Sequence, residues 1–248
     1  MIPLMSYAEN FYSQAGEDGI IAELCRRLDV SYEAQSYYVD IGAGDGLYMS
    51  NTEHLRRQRW YGTCHEASFE KAASAFRRVI IYPGNYILPV EVTVDTVNGL
   101  SPHEWPVALL SMDIDGPDIH VWRALTAWRA TIVIMEVHAE FPLGHLHEPR
   151  IDAPAFGKVT KDNPEDWPAS FSSMLAVGLE KDYRLVAYTG LNMIFVDAGR
   201  GNAEEAGCPQ DPNTLYLNGP QRTRYRELVE HKTQTREALA ALADELQA

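Results

Sequence analysis

The chain has 248 residues, 46% hydrophobic and 23% charged, which is enough for one well-buried domain of a soluble globular protein and short for two. Its 35 acidic residues outnumber its 21 basic ones, and the formal net charge of −14 at pH 7 repels phosphate backbones, so we expect no nucleic-acid partner. No apolar run approaches the roughly 20 residues of a membrane span, and the N-terminus lacks the features of a signal peptide, so we expect a cytoplasmic protein with no membrane partner.

Residues 11–28 predict an N-terminal helix, because apolar side chains recur there at helical spacing. Ser13 is a candidate cap for the first turn. Three further polar residues stand near that turn, namely Gln14, Glu17 and Asp18. They either begin a helix that covers one edge of a sheet or border a ligand, and the sequence leaves both interpretations open.

Residues 37–46 form the first strong signal in the chain. Aromatic and β-branched side chains predominate in residues 37–41, and glycines follow at alternate positions, Gly42, Gly44 and Gly46. The apolar run predicts a buried strand. The glycines predict a tight turn in which a ligand can approach the main chain closely.

An acidic residue, Glu66, follows the next apolar run and stands twenty residues after Gly46. In nucleotide-binding folds, an acid at this spacing binds the ribose hydroxyls. Residues 53–58 lie between the two runs and predict a crossover helix. Its N-terminal end, preceded by Asn51, would present free backbone N–H groups to the ligand. Together these features predict a nucleoside-containing ligand.

The glycine spacing, Gly-x-Gly-x-Gly, differs from the Gly-x-Gly-x-x-Gly of dinucleotide-binding proteins. Asp40 and Asp45 also place two carboxylates around the turn. These charges would repel a pyrophosphate and attract a ligand that carries a sulfonium and an ammonium group. Residues 39–46, Val-Asp-Ile-Gly-Ala-Gly-Asp-Gly, resemble the first motif of class I S-adenosylmethionine-dependent methyltransferases. The resemblance implies that Asp40, Asp45 and Glu66 hold S-adenosylmethionine, with Glu66 on the ribose.

Residues 69–79 predict a second crossover helix. Residues 79–82 and 86–94 favour strands, separated by the turn Pro83-Gly84-Asn85. Thr93 stands where this third strand would end, beside the adenine of a bound nucleoside.

Residues 107–116 form the second strong signal, a buried strand that ends in Asp113 and Asp115 and is followed by a helix. Residues 131–138 form another apolar run with Glu136 and His138 at its carboxyl end. Strands that alternate with helices imply a parallel sheet with helices on both faces. Ligands of such sheets bind beyond the carboxyl ends of the strands, where all these acids lie.

Residues 141–169 interrupt the alternation with five prolines and little periodicity. A long irregular segment after a site-bearing strand favours a lid or substrate loop over simple surface elaboration. Residues 171–179 then predict a helix, and residues 184–188 and 193–196 a closing antiparallel hairpin.

Residues 220–248 are charged, with a thin apolar stripe at helical spacing. They predict a C-terminal helical tail that packs on its own domain or forms a homodimer contact. We therefore expect one domain over residues 1–219, with a lid-like insertion at about 141–169, and a separate tail.

The strand-end acids suggest a metal site. Asp113 and Glu136 end consecutive strands, and parallel neighbours would bring them together. Side chains alternate along a strand, so Glu136 and His138 would share a face. Two carboxylates and an imidazole suit Mg²⁺ or Mn²⁺, and we hypothesise a site of Asp113, Glu136 and His138. The alternative is that Asp113 and Asp115 cap the next helix and His138 is an ordinary loop residue.

Four segments together resemble the FkbM-like methyltransferases, bacterial enzymes often found in polysaccharide and natural-product pathways: residues 12–19, 39–46, 110–118 and 190–196. The resemblance covers roughly residues 11–197. It implies an α/β fold, Rossmann-like and doubly wound, with a mostly parallel seven-stranded sheet, helices on both faces and a closing antiparallel hairpin. Some related sugar O-methyltransferases bind Mg²⁺ through acids after the fourth and fifth strands, and Glu136 and His138 occupy the latter place here.

The reaction that this resemblance implies is an in-line transfer of the sulfonium methyl group to a hydroxyl of a small molecule or sugar. His138 is the best candidate base by position, with His145 and His147 as reserves and Asp113 as a second catalytic residue. A bound cation would lower the pKa of the hydroxyl. Two other functions stay open: a nicotinamide-dependent oxidoreductase, against which the acids of the glycine turn argue, and a non-catalytic nucleoside-binding or scaffold protein.

Overall fold

The computed structural model describes residues 2–30, 37–100, 105–153, 163–200 and 211–218. The predicted tail, residues 220–248, and the middle of the predicted lid, residues 154–162, lie outside these ranges. Within the described ranges, no helix combines the length and the apolar character needed to cross a lipid bilayer.

The described part of the chain contains seven strands and six α-helices. The strands are β1 (Tyr37–Ile41), β2 (Tyr61–His65), β3 (Asn85–Leu88), β4 (Val107–Met112), β5 (Ala130–Glu136), β6 (Tyr183–Tyr188) and β7 (Asn192–Asp197). The helices are α1 (Glu17–Arg27), α2 (Glu53–Arg57), α3 (Phe69–Val79), α4 (Asp118–Ala124), α5 (Phe171–Glu180) and α6 (Pro212–Asn218).

All seven strands join one sheet in the order β3-β2-β1-β4-β5-β7-β6. The first five strands of that order are parallel neighbours, and β7 lies antiparallel between β5 and β6. The predicted fold is therefore confirmed: a Rossmann-like, doubly wound, mostly parallel seven-stranded sheet that ends in an antiparallel hairpin.

The sheet separates two hydrophobic cores. The first contains buried residues of α1, α2 and α3, such as Leu24, Leu55 and Ala75. The second contains buried residues of α4, α5 and α6, such as Trp122 and Phe171. Every residue of β4 is buried, because helices cover both of its faces. This is why the central strands appear in the sequence as continuous apolar runs.

Two local predictions around the third strand are wrong. Residues 79–82 form no strand: Val79 is the last residue of α3, and the N–H of Tyr82 donates to the Val79 carbonyl at 3.2 Å in the turn that follows. The third strand also ends at Leu88 instead of residue 94. Pro89 comes next and has no N–H to donate to a strand ladder.

The acids at the start of α1 serve the fold. Gly16 is the N-cap residue of α1, but the Ser13 hydroxyl accepts the N–H of Asp18, in the first turn, at 3.1 Å. The Asp18 carboxylate accepts three preceding backbone N–H groups at 2.7 to 2.8 Å. Glu17 is buried and accepts from the Thr189 hydroxyl at 2.9 Å and the Asn192 amide at 2.8 Å. Glu17 thus joins the N-terminal helix to the β6–β7 turn.

Candidate functional site

A cleft of about 580 Å³ opens at the carboxyl ends of the parallel strands. Segments that follow β1, β2, β3 and β4 line it, joined by residues 151–153 of the predicted lid. Its charged lining consists of five acids and one lysine: Glu66, Glu91, Asp113, Asp115, Asp152 and Lys71. The cleft therefore attracts positively charged ligands.

Gly42 and Gly44 shape the turn after β1 in different ways. Gly42 lines the cleft with φ +84°, and a Cβ there would stand 1.7 Å from the carbonyl oxygen of Asp113. Only glycine lets the ends of β1 and β4 approach this closely. Gly44 has φ +57°, and a Cβ there would meet no heavy atom within 4 Å. The space beside Gly44 is open to a ligand.

Glu66 lines the cleft immediately after β2, and the main chain fixes its orientation. Its Oε2 accepts the N–H of Gly44 at 2.8 Å, and its Oε1 accepts the N–H of Ser68 at 2.7 Å. Each carboxylate oxygen keeps a lone pair for another donor. The group can therefore accept hydrogen bonds from two neighbouring hydroxyls, as on a ribose.

Asp40 supports the glycine turn from within the protein. It is buried, and its carboxylate accepts the Thr52 hydroxyl at 2.6 Å. Thr52 also accepts from the buried guanidinium of Arg56 at 2.8 Å, and Arg56 donates in turn to the carbonyl of Gly46. Burial raises the pKa of Asp40, and the bond from Thr52 opposes that shift. Asp40 does not line the described part of the cleft.

Two further residues predicted to bind the cofactor have partners outside the cleft. Asp45 accepts from the Arg78 guanidinium at 2.6 Å and from the N–H groups of Leu47 and Tyr48. The side-chain amide of Asn51 donates to a hydroxyl on β4, that of Ser111, at 3.2 Å. Among the described residues, neither Asp45 nor Asn51 lines the cleft.

Thr93 lines the cleft in the segment after β3, as the sequence predicts. Its N–H donates to the hydroxyl of Thr96 at 2.9 Å, which closes a turn. The wall beside it is apolar and includes Val92, Ile114 and Val121. A flat apolar ring such as adenine suits this wall.

Asp113, Asp115 and Glu136 meet beyond the ends of β4 and β5. One carboxylate oxygen of each lies within 4.8 Å of the others. The parallel register pairs Met112 with Met135, so the next residues, Asp113 and Glu136, lie side by side. Oxygen donors alone suit Mg²⁺ or Mn²⁺, and the span fits a single ion with bonds of about 2.1 to 2.4 Å. In this group Asp115 takes the place that the sequence gives to His138.

The three carboxyl groups affect one another's protonation. Asp113 is exposed to the cleft, yet the protein packed around its carboxyl group, together with repulsion from Asp118 and Asp115, raises its pKa to about 7. Burial and repulsion from Asp113 raise the pKa of Glu136 well above its usual value. Burial also raises the pKa of Asp115, although Lys71 opposes it. A bound proton or cation therefore stabilises this cluster.

The turn between β4 and α4 explains why Asp115 joins the cluster. Asp118 closes this turn, because its carboxylate accepts the N–H groups of Ile114 at 2.8 Å and Gly116 at 3.0 Å. Among the described residues, no side chain makes a cap hydrogen bond to α4, whose N-cap residue is Pro117, so the alternative in which Asp113 and Asp115 cap it is wrong. Asp115 has φ +60°, a strained conformation for a residue with a Cβ. Such strain is typical of functional sites.

His138 belongs to an aromatic cluster instead of the carboxylate group. Its ring stacks on Trp167 with centroids 4.4 Å apart and planes 10° apart, and Phe141 packs against it at 5.5 Å. Its Nδ1 accepts the N–H of Glu140 at 3.3 Å, which favours the tautomer with hydrogen on Nε2. Burial lowers the pKa of His138. The two reserve histidines, His145 and His147, both stack on Phe141.

An ion pair fastens the described part of the predicted lid to the domain, because Glu148 pairs with Arg123 of α4 at 2.7 Å. A second ion pair, between Arg150 and Asp166 at 2.8 Å, lies within the lid itself. The next three residues, 151–153, form one wall of the cleft. The segment thus completes the cleft in this arrangement.

Two residues that line the cleft could hardly be predicted from sequence patterns. Lys71, in the first turn of α3, is the lysine of the lining. His65 is buried, and burial lowers its pKa to about 4, so its ring is neutral at pH 7. Only the position of Lys71, five residues after Glu66, could have suggested its place.

No family model and no curated protein matches the sequence. Among solved structures, monomeric WbdD is 15% identical over 79% of this chain and 48% of its own, with a TM-score of 0.46. A structure of the bifunctional kinase-methyltransferase WbdD is 14% identical over 82% of this chain and 52% of its own, with a TM-score of 0.47. Magnesium protoporphyrin IX methyltransferase from Synechocystis PCC 6803 is 10% identical over 77% of this chain and 86% of its own, with a TM-score of 0.44. The chain spans about half the length of the WbdD chains. The strand order and the antiparallel β7 of this chain make its sheet Rossmann-like and doubly wound.

Proposed function

We propose that the protein is an S-adenosylmethionine-dependent O-methyltransferase that acts on a hydroxyl of a small molecule or sugar. One observation carries the proposal: Glu66, fixed by the N–H of Gly44, lines one part of the cleft, and Asp113 and Asp115 line another part, where a carboxylate oxygen of Glu136 lies within 4.8 Å of theirs. The first is a site for a ribose and the second a site for polar or cationic chemistry. The fold provides both at the carboxyl ends of parallel strands, the first after β2 and the second after β4 and β5, on either side of β1.

The charge of the cleft favours this cofactor over a dinucleotide. Five acids line the cleft, with Lys71 as the one lysine of its described lining. A sulfonium and an ammonium group are attracted to such a surface, whereas a pyrophosphate is repelled. Glu66 accepts the ribose hydroxyls, Thr93 and the apolar wall flank the adenine, and the open space at Gly44 admits the rest of the cofactor. Asp40, Asp45 and Asn51 hold the surrounding turn in shape.

In the proposed reaction the acceptor oxygen attacks the methyl carbon of the sulfonium in line with the breaking carbon–sulfur bond. The sulfur leaves as the neutral thioether of S-adenosylhomocysteine, and the hydroxyl proton passes to a base. Holding the two reactants in line supplies much of the rate. The acceptor lies on the β4–β5 side of the cleft, where Asp113 can orient its hydroxyl.

The carboxylate cluster fits a divalent cation by the chemistry of its donors. Asp113, Asp115 and Glu136 would hold Mg²⁺ or Mn²⁺ through oxygen atoms. When bound, such an ion lowers the pKa of an acceptor hydroxyl. His138, two residues after Glu136, is the candidate base, and its Nδ1 would take the proton after releasing the N–H of Glu140.

The cellular compartment, the pathway and the domain limits of the enzyme are part of the same proposal. Both cysteines in the described part of the chain, Cys25 and Cys64, are buried free thiols, in keeping with a reducing cytoplasm. The sequence motifs suggest a role in polysaccharide or natural-product biosynthesis. Residues 1–219 form the methyltransferase domain, and residues 220–248 the tail.

Ligand binding tests the proposal directly. Purified protein is titrated calorimetrically with S-adenosylmethionine, S-adenosylhomocysteine and NAD, with and without Mg²⁺, and the melting temperature is measured with each. We expect S-adenosylhomocysteine to bind and to raise the melting temperature by mass action. Tighter binding of NAD would indicate an oxidoreductase, and no binding of any nucleoside would indicate a scaffold protein.

A further inference from the structure

One side chain that lines the cleft carries a buried nitrogen without a partner. Among the described residues, two buried side-chain atoms make no hydrogen bond, namely Asp18 Oδ1 and His65 Nδ1. The other oxygen of the Asp18 carboxylate accepts three backbone N–H groups, so that side chain is anchored. His65 is only 2% exposed, and its Nε2 bonds to the Thr63 hydroxyl oxygen at 3.2 Å. Buried polar atoms are normally paired, so His65 Nδ1 calls for a partner.

The sheet register places the His65 ring in the apolar wall of the cleft. His65 ends β2 and pairs with Ile41 of β1, so the two side chains project from the same face of the sheet. Ile41 packs in one core cluster with Val92 and Val121, and all four residues line the cleft. The preceding residue, Cys64, lies in the core on the opposite face. The unpartnered nitrogen therefore belongs to the wall that borders the cleft.

Two polar side chains in the same part of the cleft are engaged elsewhere. The hydroxyl of Thr93 lies 3.3 Å from the hydroxyl of Thr96. The Glu66 carboxylate is turned toward two backbone N–H groups, at 2.7 and 2.8 Å. Because no described group pairs with His65 Nδ1, a ligand that enters the cleft is the source from which this nitrogen can gain its hydrogen bond.

The protonation of His65 indicates which part of a ligand it can contact. Burial lowers its pKa to about 4, so the ring is neutral at pH 7 and carries one N–H. The Thr63 hydroxyl can either donate to Nε2 or accept from it, so Nδ1 can serve as a donor or as an acceptor. A nucleobase presents donors and acceptors side by side along its edge. A neutral imidazole in an apolar wall therefore suits a base better than a charged group.

We propose that His65 binds the nucleobase of the cofactor, with its Nδ1 hydrogen-bonded to the edge of the base. This inference rests on the proposed function and adds a contact to it. Glu66 holds the ribose, the apolar wall covers the base, and His65 fixes the rotation of the base within the cleft. Apolar ligand sites commonly rely on a few placed polar groups for orientation and specificity. The contact involves neither the methyl group nor the carboxylate cluster, so ligand binding alone can test it.

Calorimetric titration of the full-length protein with S-adenosylhomocysteine tests this contact. His65→Leu keeps a side chain of similar size without the nitrogens and should weaken binding about five- to tenfold, because the hydrogen bond to the base is lost. His65→Asn places an amide near the position of Nδ1 and should keep most of the affinity. The matched control is Ile87→Val, in the opposite core and outside the described cleft lining, which should lose some stability and bind normally. Equal affinities of His65→Leu and the wild type would overturn the inference.

Base-modified analogues distinguish a lost contact from a general disturbance of the site. The 1-deaza, 3-deaza, 7-deaza and 6-deamino forms of S-adenosylhomocysteine each lack one polar group at the edge of the base. At least one of them should bind the wild type about five- to tenfold more weakly than the parent compound, and should bind His65→Leu as well as the parent does. Equal penalties in both proteins would overturn the inference and leave the proposed function standing. A wild type that binds neither S-adenosylhomocysteine nor S-adenosylmethionine would overturn the proposed function and this inference with it.

Discussion

The carboxyl groups of Asp113 and Glu136 end neighbouring parallel strands and, together with Asp115, place one oxygen each within 4.8 Å of the others. The register of β4 and β5 enforces this proximity, and the surrounding protein raises the pKa of both groups. Like charges this close stabilise a proton or a cation between them. We therefore expect the site to respond to pH and to divalent ions, and both responses can be measured.

Metal dependence is the first prediction. With the proper acceptor, EDTA should abolish methyl transfer, and Mg²⁺ or Mn²⁺ should restore it, because the carboxylates need a cation to orient the hydroxyl. Asp113→Asn should remove the metal response and most of the rate, whereas Asp182→Asn, an exposed acid remote from the cleft, should keep both. Direct titration with Mn²⁺ gives an independent readout. Full activity in EDTA would exclude the ion.

The pH dependence of stability is the second prediction. The folded-state pKa of Asp113 is about 7, above its usual value, so folding favours the protonated form. Its contribution to stability is fully present below the unfolded pKa, near 4, and is lost as the pH rises through 7. Asp113→Asn imitates the protonated carboxyl group. The variant should therefore gain melting temperature relative to the wild type at pH 8 and little at pH 4.5. An equal difference in melting temperature at both pH values would contradict the raised pKa of Asp113.

Glu66 is the subject of the third prediction. Glu66→Ala should weaken the binding of S-adenosylhomocysteine by ~1–3 kcal/mol, because charge-assisted hydrogen bonds to the ribose are lost. Glu66→Gln should lose part of that affinity, since it keeps the shape and removes the charge. Calorimetry measures both. Glu70→Ala, an exposed acid four residues further on that does not line the described cleft, should bind normally; equal losses at 66 and 70 would show a general charge effect.

The two glycines of the turn should separate binding from folding. Gly44→Val adds a side chain where no atom lies within 4 Å, so the protein should fold, with backbone strain of about 1–3 kcal/mol, and fail to bind the cofactor. Gly42→Ala should prevent proper folding, because its Cβ would overlap the Asp113 carbonyl at 1.7 Å. Thermal melts and calorimetry compare the two. Normal binding by Gly44→Val would mean that this glycine serves the turn alone.

The fifth prediction separates the structural and chemical roles of His138. His138→Phe keeps a ring that can stack on Trp167 and removes the nitrogens, so its melting temperature should stay near that of the wild type while kcat falls. In the wild type, kcat/KM should rise with pH through a pKa below 6.5, because burial lowers the pKa of the imidazole. The variant should lack this acid limb. An unchanged profile would assign the proton to another group.

Much of the fold and part of the site follow from the sequence, for a simple physical reason. Buried parallel strands are continuous apolar runs, and their carboxyl ends all meet at one edge of the sheet. The pairing of Asp113 with Glu136 is therefore predictable without coordinates, and Glu66 and Thr93 line the cleft as expected. The fold class is confirmed for the same reason.

The remaining details depend on contacts that sequence periodicity does not encode. Asp115 enters the carboxylate cluster because its backbone adopts φ +60° in a turn that Asp118 closes. His138 stacks on Trp167, which stands 29 residues later in a segment without periodicity. The Asp40 side chain faces Thr52 inside the protein, and only the packing of α2 determines this orientation.

The position of β7 in the sheet has a consequence for the synthesis of the protein. β7, residues 192–197, fits between β5 and β6, so the outer edge of β5 has no strand beside it until almost all of the described chain has left the ribosome. The Glu17 carboxylate likewise lacks its two donors, Thr189 and Asn192, until those residues have been synthesised. The nascent chain therefore carries an open edge at β5, and a Glu17 without its two partners, until late in translation. Completion of the domain is then a single late event, and protection of the nascent chain by chaperones matters most just before it.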